Sequence, residues 1–309
     1  MSELRVYSPA TSANLGSGFD VFGLALKEPL DVMDFEVIDS GVFIEVDGYP
    51  VPAQPEENCA GFVALEMMNQ YDITEGLKIS IQKNIKPASG LGSSAASGAG
   101  AAYAINKLFD LNLTLPEVVT HASHGEILSA GFPHCDNVVA SLFGGFTITV
   151  AYSPLEIVKI PPPRNIGVVI ALPNIDKGST EYARSVIPKS IPMEKMAYNV
   201  GHAALLAAGV SLGKLEYIVR GMDDRVVEPA RAQAGVLKEY FALKRLGKNL
   251  NVGIAASGAG PAIISIMEKE RREEVANALE KVFSDKGYKC DTIITEPGSG
   301  VHSTCLSGA

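Results

Sequence analysis

Apolar residues along this chain of 309 recur at two spacings, every second position in some stretches and every third or fourth in others. Strands and helices are therefore both expected, in both halves of the chain. Alternating or continuous apolar runs predict strands over Asp31–Ile38, Val42–Val46, Leu77–Ile81, Gly145–Val150, Glu156–Ile160, Gly167–Leu172 and Ala262–Met267. Helical spacing predicts Ala60–Tyr71, Ser94–Phe109, Leu115–Leu128, Glu194–Ala208, Lys214–Met222 and Arg271–Phe283. Thr114-Leu-Pro-Glu117 spells a capping box with proline in the first turn, which marks a helix start. Pro161, Pro162 and Pro163 cannot donate ladder hydrogen bonds, so they read as a rigid connector near mid-chain.

Composition narrows the class. With 47% hydrophobic and 20% charged residues, 30 Gly and 18 Pro, the chain is that of a folded globular protein. Its length suits two domains at about 100 to 200 residues each. The boundary is expected within Tyr152–Pro163, dividing the chain into 1–155 and 156–309. Twenty-six basic against 35 acidic residues give a net charge of −9, and no run of five basic residues occurs. No nucleic-acid partner and no polybasic membrane contact are expected. The uncharged stretch Pro87–Asn106 is Gly, Ser and Ala with few large apolar side chains, which argues against a membrane span. Cys59, Cys135, Cys290 and Cys305 form no CxxC pair, and no signal peptide is read at the N-terminus. Reduced thiols in a cytoplasmic protein are the expectation.

The most informative segment is LKISIQKNIKPASGLGSSAASGAGAAYAINKLF, an alternating strand, a Gly/Ser loop and a helix of small residues. That arrangement aims backbone N–H groups and the positive end of a helix dipole at an anion, and a phosphate is the natural guest. Gly90 and Gly92 allow close backbone approach, while Ser93 and Ser94 offer hydroxyls to a phosphate oxygen or its metal. Neither GxxxxGK[ST] nor GxGxxG occurs, so a P-loop ATPase and a Rossmann dehydrogenase are both disfavoured. The bland reading, a tightly packed core helix with simple turn glycines, is open for this segment alone.

Two further islands shift that balance. Pro9–Leu26 carries SANLGSGFDVFGLAL, and Ala256–Ala262 reads ASGAGPA. With PASGLGSSAASGAG between them in this order, the chain resembles the GHMP kinases. PHCDNVVASLFGGF, STEYAR and VVEPAR bring the resemblance nearest to the branch that acts on L-homoserine, from about Leu4 to Glu296. One departure is Cys135, where such proteins usually carry Gly or Ala. The resemblance implies an α+β, two-domain GHMP kinase fold, with an N-terminal domain like that of ribosomal protein S5 and a C-terminal ferredoxin-like domain. It also implies ATP-dependent phosphorylation of the side-chain hydroxyl of L-homoserine, for threonine synthesis, by a homodimer.

Residue roles follow from the same resemblance. Pro87, Ala88, Ser89, Gly90, Leu91, Gly92, Ser93, Ser94, Ala95, Ala96 and Ser97 are expected around the ATP triphosphate, with Lys86 and Asn58 lining the base. Ser94 and Glu126 are expected to hold Mg2+, because phosphoryl transfer needs charge neutralisation more than covalent chemistry. For a zwitterionic substrate, Arg184 and Arg231 suit the carboxylate and Asp20 the ammonium. Asn14 and His134 are expected near the reacting hydroxyl. Asp136 is the candidate base or orienting group, with Asn137 and Thr180 aligning the hydroxyl.

Rival readings remain at this point. His121, His124 and Glu126 are a weak transition-metal set, since Glu126 points away from the face shared by the two histidines. A solvated helix face is expected for both. A hydrolase built on Cys135 between His134 and Asp136 is disfavoured, because sequence neighbours cannot form a nucleophile–base–orienter line. A non-catalytic nucleotide binder, or a GHMP kinase for another hydroxylated metabolite, are the further alternatives.

Overall fold

The computed structural model describes residues 2–130, 135–175 and 179–305. Among them the strands are β1 (Glu3–Ala13), β2 (Phe22–Ile38), β3 (Val42–Gly48), β4 (Gly76–Lys83), β5 (Phe146–Tyr152), β6 (Leu155–Ile160), β7 (Ile166–Pro173), β8 (Gly253–Ala256), β9 (Ile263–Glu268), β10 (Cys290–Thr295) and β11 (His302–Cys305). The helices are α1 (Cys59–Gln70), α2 (Ser93–Leu108), α3 (Leu115–His124), α4 (Glu126–Ala130), α5 (Asp136–Phe143), α6 (Thr180–Ser185), α7 (Met193–Leu212), α8 (Leu215–Gly221), α9 (Val227–Gln233), α10 (Tyr240–Leu250) and α11 (Arg272–Ser284). Every segment expected from periodicity is present, with one correction. The helix expected over Leu115–Leu128 breaks at Gly125 into α3 and α4. The capping box does start it, with the Glu117 carboxylate accepting the Thr114 N–H at 2.7 Å.

The chain forms two compact units. The first takes the chain up to Thr11, Leu24–Val158 and the segment from Gly298 onward; the second takes Ser12–Gly23 and Lys159–Pro297. The chain thus crosses over just before the triproline, and Ser12–Gly23 of the first sequence island and the C-terminal strand each belong with the unit farther from them in sequence.

In the first unit, β11-β1-β2-β4-β3 run side by side, with β5 and β6 continuing from β2. β3 and β4 are parallel, joined by α1, while β2 and β4 are antiparallel. Helices α1, α3 and α5 pack around α2. Its Ala, Gly and Ser side chains let α2 sit in the core: a Cβ on Gly98 would fall 2.7 Å from the Ala122 carbonyl oxygen, and one on Gly100 2.0 Å from the Met33 methyl. In the second unit the antiparallel order β10-β7-β9-β8 is 4-1-3-2 in chain sequence, the order of a ferredoxin-like βαββαβ unit. All eight residues of β7 are buried, as its continuous apolar run requires. Val275, Leu279 and Phe283 of α11 close one core against Val169 and Ala171.

One buried ion pair ties the sheet of the first unit to its glycine loop. Asp31 and Lys83 stand one step beyond the Val32–Gln82 pair of β2 and β4, on the inward side of both strands. They are 0% and 2% exposed and pair with each other. The Lys83 ammonium also donates to the Ser93 carbonyl and to the Ser97 hydroxyl, both at 2.8 Å, while the other Asp31 oxygen accepts the N–H groups of Asn84 and Ile85 at 2.9 Å. All three ammonium donors and both carboxylate oxygens are engaged, either within the pair or by groups at the end of β4 and the first turns of α2.

Lys83→Met would leave the Asp31 carboxylate buried without its cation, a loss of about 3 to 5 kcal/mol. Urea unfolding should show it as a large fall in midpoint. Combining K83M with D31N, which removes the orphan charge and keeps an acceptor for the two amides, should recover much of that fall. An unchanged midpoint in K83M would show that the pair carries no stability.

Candidate active site

The loop after β4 turns through left-handed backbone at Ala88 (φ 56°), Gly90 (φ 92°) and Gly92 (φ 63°). Gly92 is the N-cap of α2, so no side-chain acceptor competes for the first-turn amides of this 16-residue helix. The loop holds its own shape. Ser89 donates to the Lys86 carbonyl at 2.7 Å and Ser93 to the Ile85 carbonyl at 3.0 Å. Ser93 is buried behind the turn and Ser94 is partly exposed, which separates the two hydroxyls that sequence alone treats as equivalent. Pro87 and Leu91 flank the turn, and Ala95, Ala96 and Ser97 lie buried in the first turns of α2.

Asn58 has a definite local duty. It caps α1, accepting the Ala60 N–H at 2.9 Å and the Gly61 N–H at 3.4 Å, and donates to the Pro52 carbonyl at 2.7 Å. Only one of its amide hydrogens is left over for a base.

Asp136 and Asn137 open α5 beside Gly92. The Asp136 Oδ1 accepts the Asn137 N–H at 2.8 Å, and Thr11 donates its hydroxyl to the Asn137 Oδ1 at 2.7 Å. A Cβ on Gly92 would lie 2.1 Å from the Thr11 hydroxyl oxygen and 3.0 Å from the Asn137 Oδ1, so only glycine fits there. Glu126, 7% exposed, starts α4. The helix α4 that Glu126 starts packs against α2. The solvated face expected for both histidines is corrected for His121. It is buried and bonded to the Tyr71 hydroxyl at 2.9 Å, while His124 pairs with Glu66 at 2.5 Å.

The second unit gathers the remaining candidates around the carbonyl of Gly258. Asn14, Leu15 and Gly16 are consecutively left-handed, and a Cβ on Gly16 would fall 2.1 Å from the Met222 carbonyl oxygen. The turn brings the Asn14 amide to the Gly258 carbonyl at 2.9 Å, while the Asn14 Oδ1 accepts the Asp20 N–H at 3.0 Å. Arg231, 2% exposed, donates to the same Gly258 carbonyl at 2.9 Å and to the Ala183 carbonyl at 3.1 Å. Arg184 forks onto Asp20 at 3.1 and 2.6 Å. Both guanidiniums lie near the Phe19 ring, 5.3 and 5.6 Å from its centroid. Burial raises the Asp20 carboxyl, opposed by Arg184 and Arg231, and burial lowers the Arg231 guanidinium. Thr180 lies in the first turn of α6, behind the Ser179 cap. His134 lies outside the described residues.

Thus Asn14, Asp20, Arg184 and Arg231 lie together, but Arg184 and Asp20 already satisfy each other, and Arg231 spends Nε and Nη1 on main-chain carbonyls. Thr11, Phe19, Asp31, Lys83 and Glu228 escape the sequence reading. For Asp31 and Lys83 a signal existed. Each continues the inward parity of its strand, 31-33-35 and 77-79-81-83, where an acid and a base have no reason to sit unless paired.

The GHMP kinases N terminal domain family matches residues 58–145. A homoserine kinase of Methanococcus maripaludis is 44% identical over 306 residues, covering 98% of both chains. One from Natronomonas pharaonis is 38% identical over 301 residues, covering 96% of this chain and 98% of its own. The chain belongs to the homoserine kinases of the GHMP family. A crystal structure of homoserine kinase from Cytophaga hutchinsonii superposes with a TM-score of 0.89 at 30% identity, covering 98% of each chain. Mevalonate diphosphate decarboxylase from Staphylococcus aureus shares the fold, with a TM-score of 0.73 at 14% identity. The two-domain α+β expectation holds, and ATP is the phosphate donor of this family. Among the described residues no helix is long and apolar enough to cross a membrane.

Membership in a kinase family leaves Cys135 without nucleophilic work, and its surroundings agree. Burial pushes its thiol up to about 11 and the Cys59 thiol up to about 12. At pH 7.5 both should resist iodoacetamide in the native protein and react after unfolding, as read by peptide mass spectrometry. Rapid native alkylation of Cys135 would contradict that environment.

Close to Arg231, Glu228 is buried, its Oε1 accepting the Ala256 N–H at 2.6 Å and its Oε2 forming an ion pair with the Lys244 ammonium at 3.6 Å. Burial, opposed by Lys244, raises its carboxyl to about 7. A raised acid holds its proton in the folded state after the unfolded chain has lost it. Its contribution to stability is therefore full below about pH 4.5 and declines as pH rises to about 7. Glu228→Gln should flatten that part of a melting-temperature profile measured between pH 5 and 8. An identical slope in E228Q would assign the dependence elsewhere.

Proposed function

We propose that the protein transfers the γ-phosphoryl group of ATP to the side-chain hydroxyl of L-homoserine, forming O-phospho-L-homoserine for threonine synthesis. The single observation that carries the substrate choice is the group of two guanidiniums and one carboxylate around Phe19. The guanidiniums and the carboxylate together supply a partner of each sign, which suits a ligand bearing its own carboxylate and ammonium. Homoserine binding exchanges the internal Arg184–Asp20 pair for two external ones: its carboxylate takes the Arg184 fork, assisted by the Arg231 Nη2, and its ammonium takes Asp20. Each new contact is a charge-assisted hydrogen bond. A neutral polyol offers neither exchange and a hydroxy acid without an ammonium offers only one, which disfavours either as substrate.

On the nucleotide side, the segment from Pro87 to Ser97, which includes the first-turn amides of α2, receives the phosphates, as a positive helix end favours, and Lys86 and Asn58 line the base. Ser94 and Glu126 would hold Mg2+. One hydroxyl, one carboxylate and phosphate oxygens form the hard oxygen set that this ion takes, and it would neutralise charge on the transferring group. Asn137 and Thr180 align the acceptor hydroxyl. Asp136 holds Asn137 rather than serving as an early base, because a largely dissociative transfer asks little of one. The four cysteines are free thiols, in keeping with a cytoplasmic protein. A homodimer is proposed as well, supported by Met193, Val200 and Leu212, all exposed on the long helix α7; sedimentation would test it.

ADP release should be strong with L-homoserine and weak with mevalonate, galactose, shikimate and 3-amino-1-propanol, the last lacking only the carboxylate. Arg184→Ala should raise KM for homoserine about tenfold or more, since about 1.4 kcal/mol is one decade. It should also erase most of the preference over 3-amino-1-propanol. Equal turnover of homoserine and the aminoalcohol by the wild type would overturn the proposed recognition.

A further inference from the structure

Thr11 ends the buried stretch of β1 that belongs to the first unit, and none of its side chain reaches solvent. Its N–H donates to the Leu91 carbonyl at 3.0 Å, which fastens the strand to the glycine loop. Its hydroxyl does something the backbone does not require: it donates to the Asn137 Oδ1 at 2.7 Å. The direction of that bond is forced by chemistry. The Asn137 Nδ2 stands 3.4 Å from the Asp136 Oδ1, and a carboxylate only accepts. Turning the amide over would set its oxygen against the carboxylate oxygen, so the nitrogen must face Asp136 and the oxygen must face Thr11.

We propose that Thr11 is a positioning residue for phosphoryl transfer, which fixes the Asn137 amide in one orientation, its Oδ1 on Thr11 beside Gly92 and its Nδ2 on the Asp136 side. The inference rests on the proposed kinase reaction, in which Asn137 aligns the acceptor hydroxyl. A side-chain amide can turn over, and its two ends have opposite polarity: the nitrogen donates to a hydroxyl or phosphoryl oxygen, whereas the oxygen only accepts and repels a phosphoryl oxygen. Asp136 restrains the nitrogen end and Thr11 the oxygen end. Loss of the Thr11 donor leaves one restraint on a group whose task is alignment, and alignment errors fall on kcat rather than on substrate affinity.

Thr11→Val keeps the branched shape against Gly92 and removes the hydroxyl donor, and Thr11→Ser restores the donor. The measurement is ADP release with L-homoserine in wild type, T11V, T11S, N137A and T11V/N137A. T11V should lower kcat by roughly tenfold to a hundredfold, with KM for homoserine and for ATP within about twofold, and T11S should recover most of the rate. In the N137A background T11V should cost little more, because the group it positions is gone. The same fall in both backgrounds, or no fall in T11V, would overturn the proposal. Should T11V not fold, Thr11→Ala removes the same donor without a methyl against Gly92 and is read in the same way. A readout independent of turnover is the side-chain amide signal of Asn137 in a nitrogen–proton NMR spectrum, expected to shift in T11V and return in T11S. An unmoved signal counts against Thr11, whereas a moved signal in a protein that does not phosphorylate homoserine sinks only the assigned activity.

Discussion

The pairing of Asp31 with Lys83 is the constraint on which the first unit turns. A lysine and an aspartate with essentially no solvent exposure cannot be tolerated apart, and together they are tolerable only if every remaining donor and acceptor is filled. Filling them fixes the geometry. The ammonium must meet the Ser93 carbonyl and the Ser97 hydroxyl, and the carboxylate must meet the amides of Asn84 and Ile85. Those four groups bracket the glycine loop, so the electrostatic need of two buried charges is what holds the first turn of α2 at a set distance from β4. A loop made of glycine and serine has little shape of its own, and here its shape is imposed from beneath.

The second unit applies the same economy with a single carbonyl. Gly258 accepts from Asn14 and from Arg231, two residues far apart in sequence, and its own N–H returns to the Ala13 carbonyl at 3.1 Å. Glu228 holds the neighbouring Ala256 amide from behind. The exposed consequence is the Arg184–Asp20 fork, 25% and 29% exposed, which is accessible enough to be exchanged. In the proposed exchange, binding energy for a zwitterion is a difference between two external pairs and one internal pair. Such a site discriminates by charge pattern more than by shape, because a ligand with only one of the two charges must leave one partner of the broken pair uncompensated.

Much of the architecture could be read before the structure. The alternation of Leu77, Ile79 and Ile81, the capping box at Thr114 and the continuous apolar run of β7 each reflect short-range rules, and each element stands where those rules place it. Short elements such as α6, α9 and β8 were not legible, since four to seven residues carry too little periodicity to separate strand from helix. His121 was misjudged for a related reason. A polar residue on a helix looks solvated until a partner such as Tyr71 arrives from another helix.

What the sequence by itself determined is the inventory: two packed units, a phosphate-binding glycine loop, a homoserine kinase resemblance across its motifs, and the residue types suited to ATP and a zwitterion. Only the tertiary structure decided how those residues spend their hydrogen bonds. Arg184 is occupied by Asp20, Arg231 is a pin between two carbonyls, Asn58 is a helix cap, and Thr11 donates its hydroxyl to the Asn137 Oδ1. The physical reason is that periodicity and motif spacing report which face of an element is buried. Hydrogen-bond partnership depends on donors and acceptors brought together from up to 244 positions apart, as with Asn14 and Gly258, and no local pattern encodes that distance.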